Sequence, residues 1–308
     1  MRAVLVVNTA ATATTGKTRD VIASALASEL KVDVLETTHR GHARELGSQA
    51  LHDGVDVVVV LGGDGTVNEV VNGLLVDGPS PHVPSLAVVP GGSTNVFSRA
   101  LGLSRDPVEA TAEIMASLRE GRSRLINLGL ADQRWFTFTA GYGFDADVVR
   151  RVERLRALGR ASTAGLYLRS AVTQFYRSGS RWRGPITVLA AGELVQSGFF
   201  LCVATNASPW TYLGSRPVTL VPGATFDTAL DLFALRRTGT VRMVGHALRG
   251  LRGGGPSAHR SVRTVLGARE VVLRAERPVG VQVDGDYIGQ RDSLRLRSVP
   301  AALRIVGP

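Results

Sequence analysis

The stretch from Val57 to Leu75 constrains the fold more than any other part of the sequence. It begins with four valines and a leucine, an apolar run that is typical of a strand buried on both faces. The run stops at Gly62-Gly63-Asp64-Gly65-Thr66, after which apolar residues recur with the spacing of an amphipathic helix. The pattern therefore predicts a buried strand, a glycine turn and a helix in direct succession.

Such a turn is a favourable place for a phosphate group. Backbone N–H groups point outward at a helix N-terminus, the helix dipole favours an anion, and glycines let the backbone approach the ligand. The carboxylate of Asp64 would repel a polyphosphate, so it must meet a bound cation, a hydroxyl group or backbone donors. The competing interpretation is a tight turn that binds nothing, because glycine-rich turns between strands and helices are common.

Neither of the two familiar nucleotide-binding loops fits this stretch. It lacks the Lys-Ser/Thr ending of a P-loop, and no G-x-G-x-x-G can be read from it. Upstream, Gly16-Lys17-Thr18 does end in the manner of a P-loop, but Ala11 stands where the first glycine is needed. A P-loop is therefore the weaker alternative.

A second glycine block follows the apolar run Leu86–Val89 and reads Pro90-Gly91-Gly92-Ser93-Thr94-Asn95-Val96-Phe97-Ser98-Arg99. The turn at Gly62–Thr66 resembles the GGDGT signature shared by diacylglycerol kinases, sphingosine kinases, NAD kinases and phosphofructokinases. The second block resembles the PxGTxNDFAR-type motif of the bacterial diacylglycerol kinase family of lipid kinases. Its position shortly after GGDGT is typical of that family. Ser93 keeps the hydroxyl of the usual Thr, whereas Val96 replaces a usual Asp.

The order of strand and helix patterns predicts two domains. Strands alternate with helices up to about residue 120, which indicates a doubly wound α/β unit with ligands outside the carboxyl ends of its strands. Closely spaced strands after Gly121 indicate a mostly antiparallel β-sandwich. We predict an α/β nucleotide-binding domain over residues 1–122 and a β-sandwich lipid-acceptor domain over residues 123–297. As the family resemblance implies, residues 298–308 are expected to return to the first domain.

Apolar periodicity also predicts individual elements. The predicted helices are Ala43–His52, Val67–Val76, Thr94–Leu101, Pro107–Arg119, Ala146–Leu158, about Thr163–Tyr176, and Val241–Leu251. In the second domain the predicted strands are Leu125–Leu130, Trp135–Ala140, Ile186–Ala190, Gly198–Thr205, Val218–Val221, Leu230–Leu235, Val262–Leu266, Glu270–Arg274 and Val279–Val283.

The family resemblance implies the residues that contact a nucleotide. Thr37 precedes Gly41-His42-Ala43 in a segment that resembles the family's T-x-x-x-G-[DH]-A, although a threonine after a strand also serves as a helix cap. In the first loop, Asn8-Thr9-Ala10 lacks the proline and most of the glycine that the family has there. The predicted cofactor-binding residues are Thr37, Gly62, Gly63, Asp64, Gly65, Thr66, Asn68, Gly92, Ser93 and Asn95.

Near the C-terminus, Val281-Gln282-Val283-Asp284-Gly285-Asp286 resembles the family's V-D-G-E, in which the last carboxylate accepts the proton of the lipid hydroxyl. A strand that continues through Gly285 would place Asp284 and Asp286 on one face, where one carboxylate could orient or bind a cation while the other takes the proton. The competing interpretation is a hairpin, since Asp-Gly between apolar residues favours a turn. The predicted catalytic residues are Asp286, Asp284 and Asp64.

Two further segments resemble family motifs. Gly141–Ala146 resembles G-x-G-x-D-A, and we expect Asp145 to cap the helix that follows. Phe226–Leu232 resembles the DDGLLDV-like segment, where an Asp and two carbonyls hold a structural magnesium ion. Thr228 replaces the usual glycine of that segment. The metal ligands implied by the resemblance are Asp227, Leu230 and Leu232.

Composition restricts the compartment. The single cysteine, Cys202, lies in an apolar run and cannot form an internal disulfide, so a reducing cytosol is expected. The apolar start of the chain is too short for a signal peptide, and no stretch reaches the length of a transmembrane helix. We therefore expect a cytoplasmic protein that associates peripherally with the inner face of the membrane.

The charge predicts a partner that carries phosphate. The formal net charge is +10, which suits nucleotides, nucleic acid or an anionic bilayer. Arginines accompany aromatic residues in Arg150–Arg160 and Gly165–Arg183, a mixture that suits an anionic membrane surface. The same mixture is also typical of a solvated helix face whose aromatics lie in the core. No recognition helix, zinc finger or RNP motif supports binding of nucleic acid.

Together, these features predict an ATP-dependent lipid kinase that transfers the γ-phosphate to a lipid hydroxyl, with diacylglycerol as the expected acceptor and phosphatidic acid as the product. ATP and Mg²⁺ are the expected cofactors, with the ion bridging the nucleotide phosphates. A soluble-substrate kinase of the NAD kinase type is one alternative, and a nucleotide- or lipid-binding module without catalysis is another. The sequence does not fix the oligomeric state, and a homodimer is an open alternative.

Overall fold

The computed structural model describes residues 1–11, 14–158, 164–177, 184–236, 239–253 and 259–307. The chain divides into two compact units. Unit 1 comprises Met1–Leu128 and Pro300–Pro308, and unit 2 comprises Gly129–Val299. The order of strand and helix patterns predicts the corresponding boundaries after residues 122 and 297.

Unit 1 alternates strands and helices. Its elements are β1 (Arg2–Val7), α1 (Gly16–Ala27), β2 (Lys31–Glu36), α2 (His42–His52), β3 (Val57–Gly62), α3 (Asp64–Leu74), β4 (Ser85–Pro90), α4 (Val96–Ala100), α5 (Pro107–Arg119) and the start of β5 (Ser123–Ala131). Its parallel strands are ordered β4-β3-β1-β2. Every residue of β3 is buried, as its unbroken apolar run predicts.

The chain's last residues add a strand to unit 1. The end of β15 (Asp286–Val306) pairs in parallel with β4 through Ile305 and Leu86. The backbone N–H of Ala301 donates to Asn127 Oδ1 at 3.0 Å, which holds the incoming segment to β5. Pro300–Pro308 therefore belongs to unit 1.

Helices α2 and α3 pack against each other through glycines. A Cβ on Gly47 would lie 2.7 Å from the carbonyl oxygen of Val70, and one on Gly73 would collide with the carbonyl oxygen of Arg44. No side chain fits at either position unless the backbones separate. This close approach fixes α3, the helix that follows the first glycine turn.

Unit 2 is built mostly from antiparallel strands. After the end of β5 it contains β6 (Arg134–Phe136), β7 (Thr139–Gly143), α6 (Phe144–Ala157), α7 (Ala164–Arg177), β8 (Ile186–Ala190), β9 (Glu193–Thr205), β10 (Thr211–Leu213), β11 (Arg216–Val218), β12 (Leu230–Arg236), α8 (Thr240–Leu251), β13 (Val262–Ala268), β14 (Glu270–Val283) and most of β15. The strand order is β13-β12-β9-β7-β14-β15, and β8 pairs with both β9 and β14. Alternate residues of these strands enclose the main core, which includes Tyr142, Phe136 and Phe199.

The protein thus has a mixed α/β fold with many antiparallel strands. The division of unit 2 into two facing sheets stays a prediction, since β9 and β14 each pair with three other strands along their length. The strand predicted over Trp135–Ala140 is two strands, β6 and β7, and the two strands predicted around residues 270–283 are one, β14. Among the described helices, none combines the length and the hydropathy needed to cross a bilayer.

Candidate active site

The two glycine blocks of unit 1 contact each other through their backbones. The N–H of Gly91 donates to the carbonyl oxygen of Gly62 at 2.8 Å. A Cβ on Gly92 would lie 2.7 Å from the Cα of Gly63, a distance that real Cβ atoms do not reach. The glycines are therefore required because the loops touch, and together the loops form one surface at the carboxyl ends of β3 and β4.

Asp64 joins the same two loops. Its carboxylate accepts the N–H groups of Val96 at 2.9 Å and Phe97 at 3.0 Å, at the start of α4. Backbone donors are one of the three kinds of partner that the sequence analysis allowed for this acid. The contact fastens the start of α4 to the start of α3, so one predicted site residue has a structural role. Catalysis by Asp64 stays a prediction.

Asn95 holds its own loop together. It adopts a left-handed conformation with φ 49°, which asparagine tolerates better than most residues. Its Oδ1 accepts the N–H of Gly92 at 2.8 Å, and its Nδ2 donates to the Gly92 carbonyl at 2.7 Å. The adjacent Ser93 is exposed. The Asn95 amide thus shapes the loop while Ser93 faces solvent.

The start of α3 offers donors to an anion. The first N–H groups of an α-helix have no acceptor within the helix, and in α3 these belong to the turn from Asp64 to Thr66. Gly63, Asp64 and Gly65 are only half-buried, so solvent reaches this turn. With the helix dipole and exposed Ser93 beside it, the surface can hold a phosphate group.

Other predicted nucleotide contacts lie deeper. Thr66 is buried, and its Oγ1 accepts from Asn8 Nδ2 at 2.8 Å. Asn68 is fully buried, and its side-chain oxygen accepts from Asn72 Nδ2 at 3.2 Å. Both side chains are therefore engaged in hydrogen bonds inside the protein, beneath the surface that the loops form. Thr37 is half-buried and follows β2, with its backbone N–H bound to the neighbouring strand β1. Direct nucleotide contact by these residues stays a prediction.

Thr14 is a candidate that the sequence analysis missed. Its hydroxyl is buried and has no hydrogen-bond partner among the described residues. It lies against the second glycine block, 2.7 Å from the position that a Cβ on Gly91 would occupy. A buried hydroxyl without a partner is costly, so a ligand oxygen that supplied one would be favoured. The poor match of the first loop to the family pattern concealed this residue.

In unit 2 the segment Val283–Asp286 is a tight hairpin. Asp284 and Gly285 both have positive φ, 48° and 86°, and β14 pairs with β15 directly across them. This is the turn that an Asp-Gly pair favours. Of the two alternatives that the sequence left open, the hairpin is therefore confirmed, and Asp284 and Asp286 do not share one face of a continuous strand because the chain reverses between them.

The carboxylate of Asp284 is buried and fully engaged. It accepts the N–H groups of Thr137 at 2.7 Å, Phe138 at 3.0 Å and Thr139 at 3.0 Å, and the Thr137 hydroxyl at 2.9 Å. Burial raises the pKa of Asp284, and the four donors act in the opposite direction. A carboxylate has about four acceptor positions, and these donors fill them. Asp284 therefore anchors the turn before β7, and the geometry does not support a cation-binding role.

Asp286 stands beyond the turn and remains accessible. Its side chain is 26 % exposed, and its Oδ2 lies 4.0 Å from Arg134 Nη2. The next residue, Tyr287, is fixed by α6, since its N–H donates to Glu153 Oε1 at 3.0 Å. The guanidinium of Arg150 lies 5.4 Å from the centroid of the Tyr287 ring. Asp286 is thus a partly exposed carboxylate on a hairpin that α6 holds in place.

A series of buried hydrogen bonds connects this hairpin to α6. Asp145 Oδ2 accepts from Gln282 Nε2 at 2.7 Å, and Gln282 Oε1 accepts the N–H of Gly285 at 2.9 Å. Burial raises the pKa of Asp145 to about 6, and the bond from Gln282 lowers it in part. The expected N-cap role of Asp145 is wrong, because Gly143 occupies that position. No local sequence signal reveals a contact between residues this far apart in the chain.

The implied metal ligands form a weak set. Asp227 is exposed in a turn, while Leu230 and Leu232 are fully buried in β12, which pairs with β9 on one edge and β13 on the other. The described part of the chain holds no group of three His, Cys, Asp or Glu side chains that could bind a metal. One exposed carboxylate is a poor basis for a resident ion. The metal site stays a prediction.

The aromatic residues of α6 and α7 are used at least partly for packing. Phe175 lies edge-on to Phe144 with ring centroids 6.4 Å apart, and Phe144 contacts Phe200 at 5.3 Å. This matches the alternative in which the aromatics lie in the core. Trp182 lies outside the described residues. Membrane contact through Arg150–Arg183 therefore stays a prediction.

Two glycine loops that touch at the carboxyl ends of parallel strands form an arrangement that suits phosphate groups. Residues 2–129 match the family model of the diacylglycerol kinase catalytic domain. The resemblance seen in Gly62–Thr66 and Pro90–Arg99 is confirmed. The match and the relatives below support a kinase.

Among relatives, a diacylglycerol kinase of Bacillus subtilis is 26% identical over 261 residues, which cover 82% of this chain and 78% of that protein. A diacylglycerol kinase of Staphylococcus aureus is 38% identical over 103 residues, or 33% of this chain and 30% of that protein.

Two solved structures share the fold. A diacylglycerol kinase from Bacillus anthracis has a TM-score of 0.73 at 20% identity, covering 100% of this chain and 97% of its own. An NAD kinase from Archaeoglobus fulgidus in complex with ATP has a TM-score of 0.57 at 12% identity, covering 99% and 93%.

Proposed function

We propose that this protein is an ATP-dependent lipid kinase that transfers the γ-phosphate to a lipid hydroxyl, with diacylglycerol as the acceptor and phosphatidic acid as the product. The observation that carries the proposal is the joint surface of the two glycine loops, which Asp64 fastens together by accepting Val96 N–H and Phe97 N–H. The family match over residues 2–129 and the relatives named diacylglycerol kinase support it.

ATP would enter as its magnesium complex, with its phosphates at this surface. The N–H groups at the start of α3 donate to phosphate oxygens, and the Ser93 and Thr14 hydroxyls add donors from the neighbouring loops. The ion that accompanies ATP would offset the negative charge that Asp64 brings to the site. Binding there orients the γ-phosphate for transfer, and no covalent intermediate with the protein is required.

Asp286 would accept the proton of the lipid hydroxyl. In the step, the hydroxyl oxygen forms a bond to the γ-phosphorus while the bond to the β,γ-bridging oxygen breaks. The proton passes to Asp286 and ADP leaves. The carboxylate is exposed enough to meet an acceptor, and Gln282 and Asp284 hold the turn on which it stands. Asp284 and Asp145 are positioning residues in this scheme.

A substrate panel tests the proposal. The purified protein is incubated with γ-labelled ATP, magnesium and diacylglycerol, ceramide or a sphingoid base in mixed micelles, and in parallel with soluble NAD. We expect label in phosphatidic acid. Label in NADP alone would favour the soluble-substrate alternative, which the GGDGT turn and the fold of the archaeal NAD kinase also fit. Tight ATP binding without transfer to any acceptor would favour a non-catalytic binding module.

A further inference from the structure

Helix α8 has an exposed apolar stripe. Val241, Val244 and Leu248 recur at the spacing of one helix face, and they are 86%, 52% and 45% exposed. The opposite side of the helix is anchored, since Met243 packs against the cluster of Phe200 and its neighbours. The stripe is therefore a second apolar face on a helix whose core-facing side is already satisfied.

Arginines lie beside this stripe. Arg242 and Arg249 are two helical turns apart on the adjoining face, and Arg252 follows one turn beyond Arg249. The sequence from Leu232 to Arg269 contains eight arginines and no acidic residue. The exposed surface of α8 is thus divided lengthwise into an apolar half and a cationic half.

The cationic half borders a cavity of about 560 Å³. It is lined by Arg242, Arg249, Arg252, His246 and His259, together with Gly245 and with Leu248 of the apolar stripe. Buried Ser261 fixes the two histidines, because its hydroxyl lies 3.0 Å from His246 Nε2 and 2.7 Å from His259 Nδ1. The volume is in the range of small-ligand sites, and arginines in a cavity suit phosphate oxygens.

We propose that α8 docks the protein on a bilayer of anionic phospholipid. Val241, Val244 and Leu248 enter the boundary between headgroups and acyl chains, and the arginines bind lipid phosphates at the level of the cavity. An apolar stripe beside basic residues is the arrangement of helices that lie in a membrane interface. The role of this surface in reaching a lipid substrate rests on the proposed lipid kinase function, whereas the binding of the surface to a bilayer does not.

Vesicle sedimentation tests the docking surface without any turnover. Wild type should bind vesicles of phosphatidylcholine and phosphatidylglycerol, and bind pure phosphatidylcholine weakly. Removing the charge should weaken binding about fivefold per arginine, or roughly 100-fold for three. The cationic variant is Arg242→Gln/Arg249→Gln/Arg252→Gln. The charge-matched control is Arg124→Gln/Arg274→Gln/Arg297→Gln, which replaces three exposed arginines elsewhere. Its affinity for vesicles should fall at most a fewfold, because only the net charge is lower.

The apolar half is tested separately. Replacing its three residues by serine should weaken vesicle binding by about fivefold per residue, whereas Leu194→Ser, at another exposed apolar position, should not weaken it. Melting temperatures should stay near that of the wild type, because these side chains face solvent. Unchanged vesicle binding in both α8 variants would overturn the proposal.

A fluorescent probe on α8 distinguishes a membrane from a soluble phosphate or a second copy of the chain as the partner of this surface. The only native cysteine, Cys202, is buried and burial raises the pKa of its thiol, so Val244→Cys can be labelled selectively with a polarity-sensitive dye. Anionic vesicles should shift its emission to the blue, and glycerol 3-phosphate alone should not. A response to the soluble phosphate alone, or a change from dimer to monomer in the serine variant, would contradict docking on a membrane.

The outcome is separable from the proposed activity. The α8 variants should keep phosphate transfer in detergent micelles, where a bilayer surface is not needed. If no protein, including the wild type, transferred phosphate to lipid, the proposed function would fail while the vesicle result stood unaffected.

Discussion

Substitutions of the two acids of the hairpin, Asp284 and Asp286, should have different effects: the first should lower stability and the second should lower turnover. Asp284→Asn keeps the size of the side chain and tolerates the left-handed backbone, so any effect reports on the carboxylate. An amide oxygen can accept two of the four hydrogen bonds that Asp284 accepts, and the amide nitrogen then faces the other donors. Losing two bonds to a charged acceptor costs roughly 3–6 kcal/mol, and relief from burying a charge offsets part of it.

We expect a net loss of about 3 kcal/mol, which corresponds to a fall of about 6–12 °C in the melting temperature of a domain of this size. The matched control is Asp286→Asn. That carboxylate is partly exposed, and its Arg134 partner lies 4.0 Å away, so the change in unfolding free energy should be under about 1 kcal/mol.

The assay is thermal and urea unfolding of the wild type and both variants at neutral pH. Phosphate transfer is measured below the melting temperature of the least stable variant. We expect Asp284→Asn to be less stable than the wild type, and Asp286→Asn to be as stable as the wild type but inactive. A melting temperature of Asp284→Asn within about 1 °C of the wild type would refute the structural role given to this acid.

Three further changes test other parts of the molecule. Gly92→Ala places a Cβ 2.7 Å from Gly63 Cα, so calorimetry should show ATP affinity reduced at least about tenfold, and urea unfolding should show a loss of about 1–3 kcal/mol. An unchanged affinity would contradict the proposal that the contact between the loops shapes the ATP site. Gly73→Ala sets a methyl group against the Arg44 carbonyl and should cost about 1–3 kcal/mol in urea unfolding, whereas a neutral result would mean that the helices separate freely. Burial raises the pKa of Asp145 from 3.8 to about 6, so the contribution of Asp145 to the free energy of unfolding should fall as pH rises between these values and then level off. The difference between the wild type and Asp145→Asn isolates this contribution from the other titrating groups. Asp145→Asn should match the wild type near pH 4 and exceed it by up to about 3 kcal/mol near pH 8; equal stability at both would contradict the burial argument.

Patterns confined to neighbouring residues predicted the local structure well. The run Val57–Leu75 gave a buried strand and a helix, and Pro107–Arg119 is a helix with the predicted bounds. In the latter, Asp106 accepts from the N–H groups of Val108 and Glu109, and proline occupies the first turn. Such signals are readable because cap and helix lie within a few residues.

The contacts of the site were harder to predict from the sequence, because they join distant parts of the chain. Nothing near Asp64 indicates that its partners are Val96 and Phe97, and nothing near Asp145 indicates Gln282. At Asp284 both outcomes were open, and the turn formed because an Asp-Gly pair accepts positive φ at both positions. Motifs located the loops, whereas the tertiary fold decided which polar atoms are already engaged.

Transfer of the γ-phosphate measured together with ATP binding tests the central claim most directly. Wild type and Asp286→Asn are compared for calorimetric binding of magnesium ATP and for label transferred to diacylglycerol in micelles. The account predicts ATP affinity within about twofold of the wild type and a rate lower by roughly 10²–10⁴-fold in the variant. Wild-type transfer by Asp286→Asn, or a wild-type protein that binds no ATP, would contradict it.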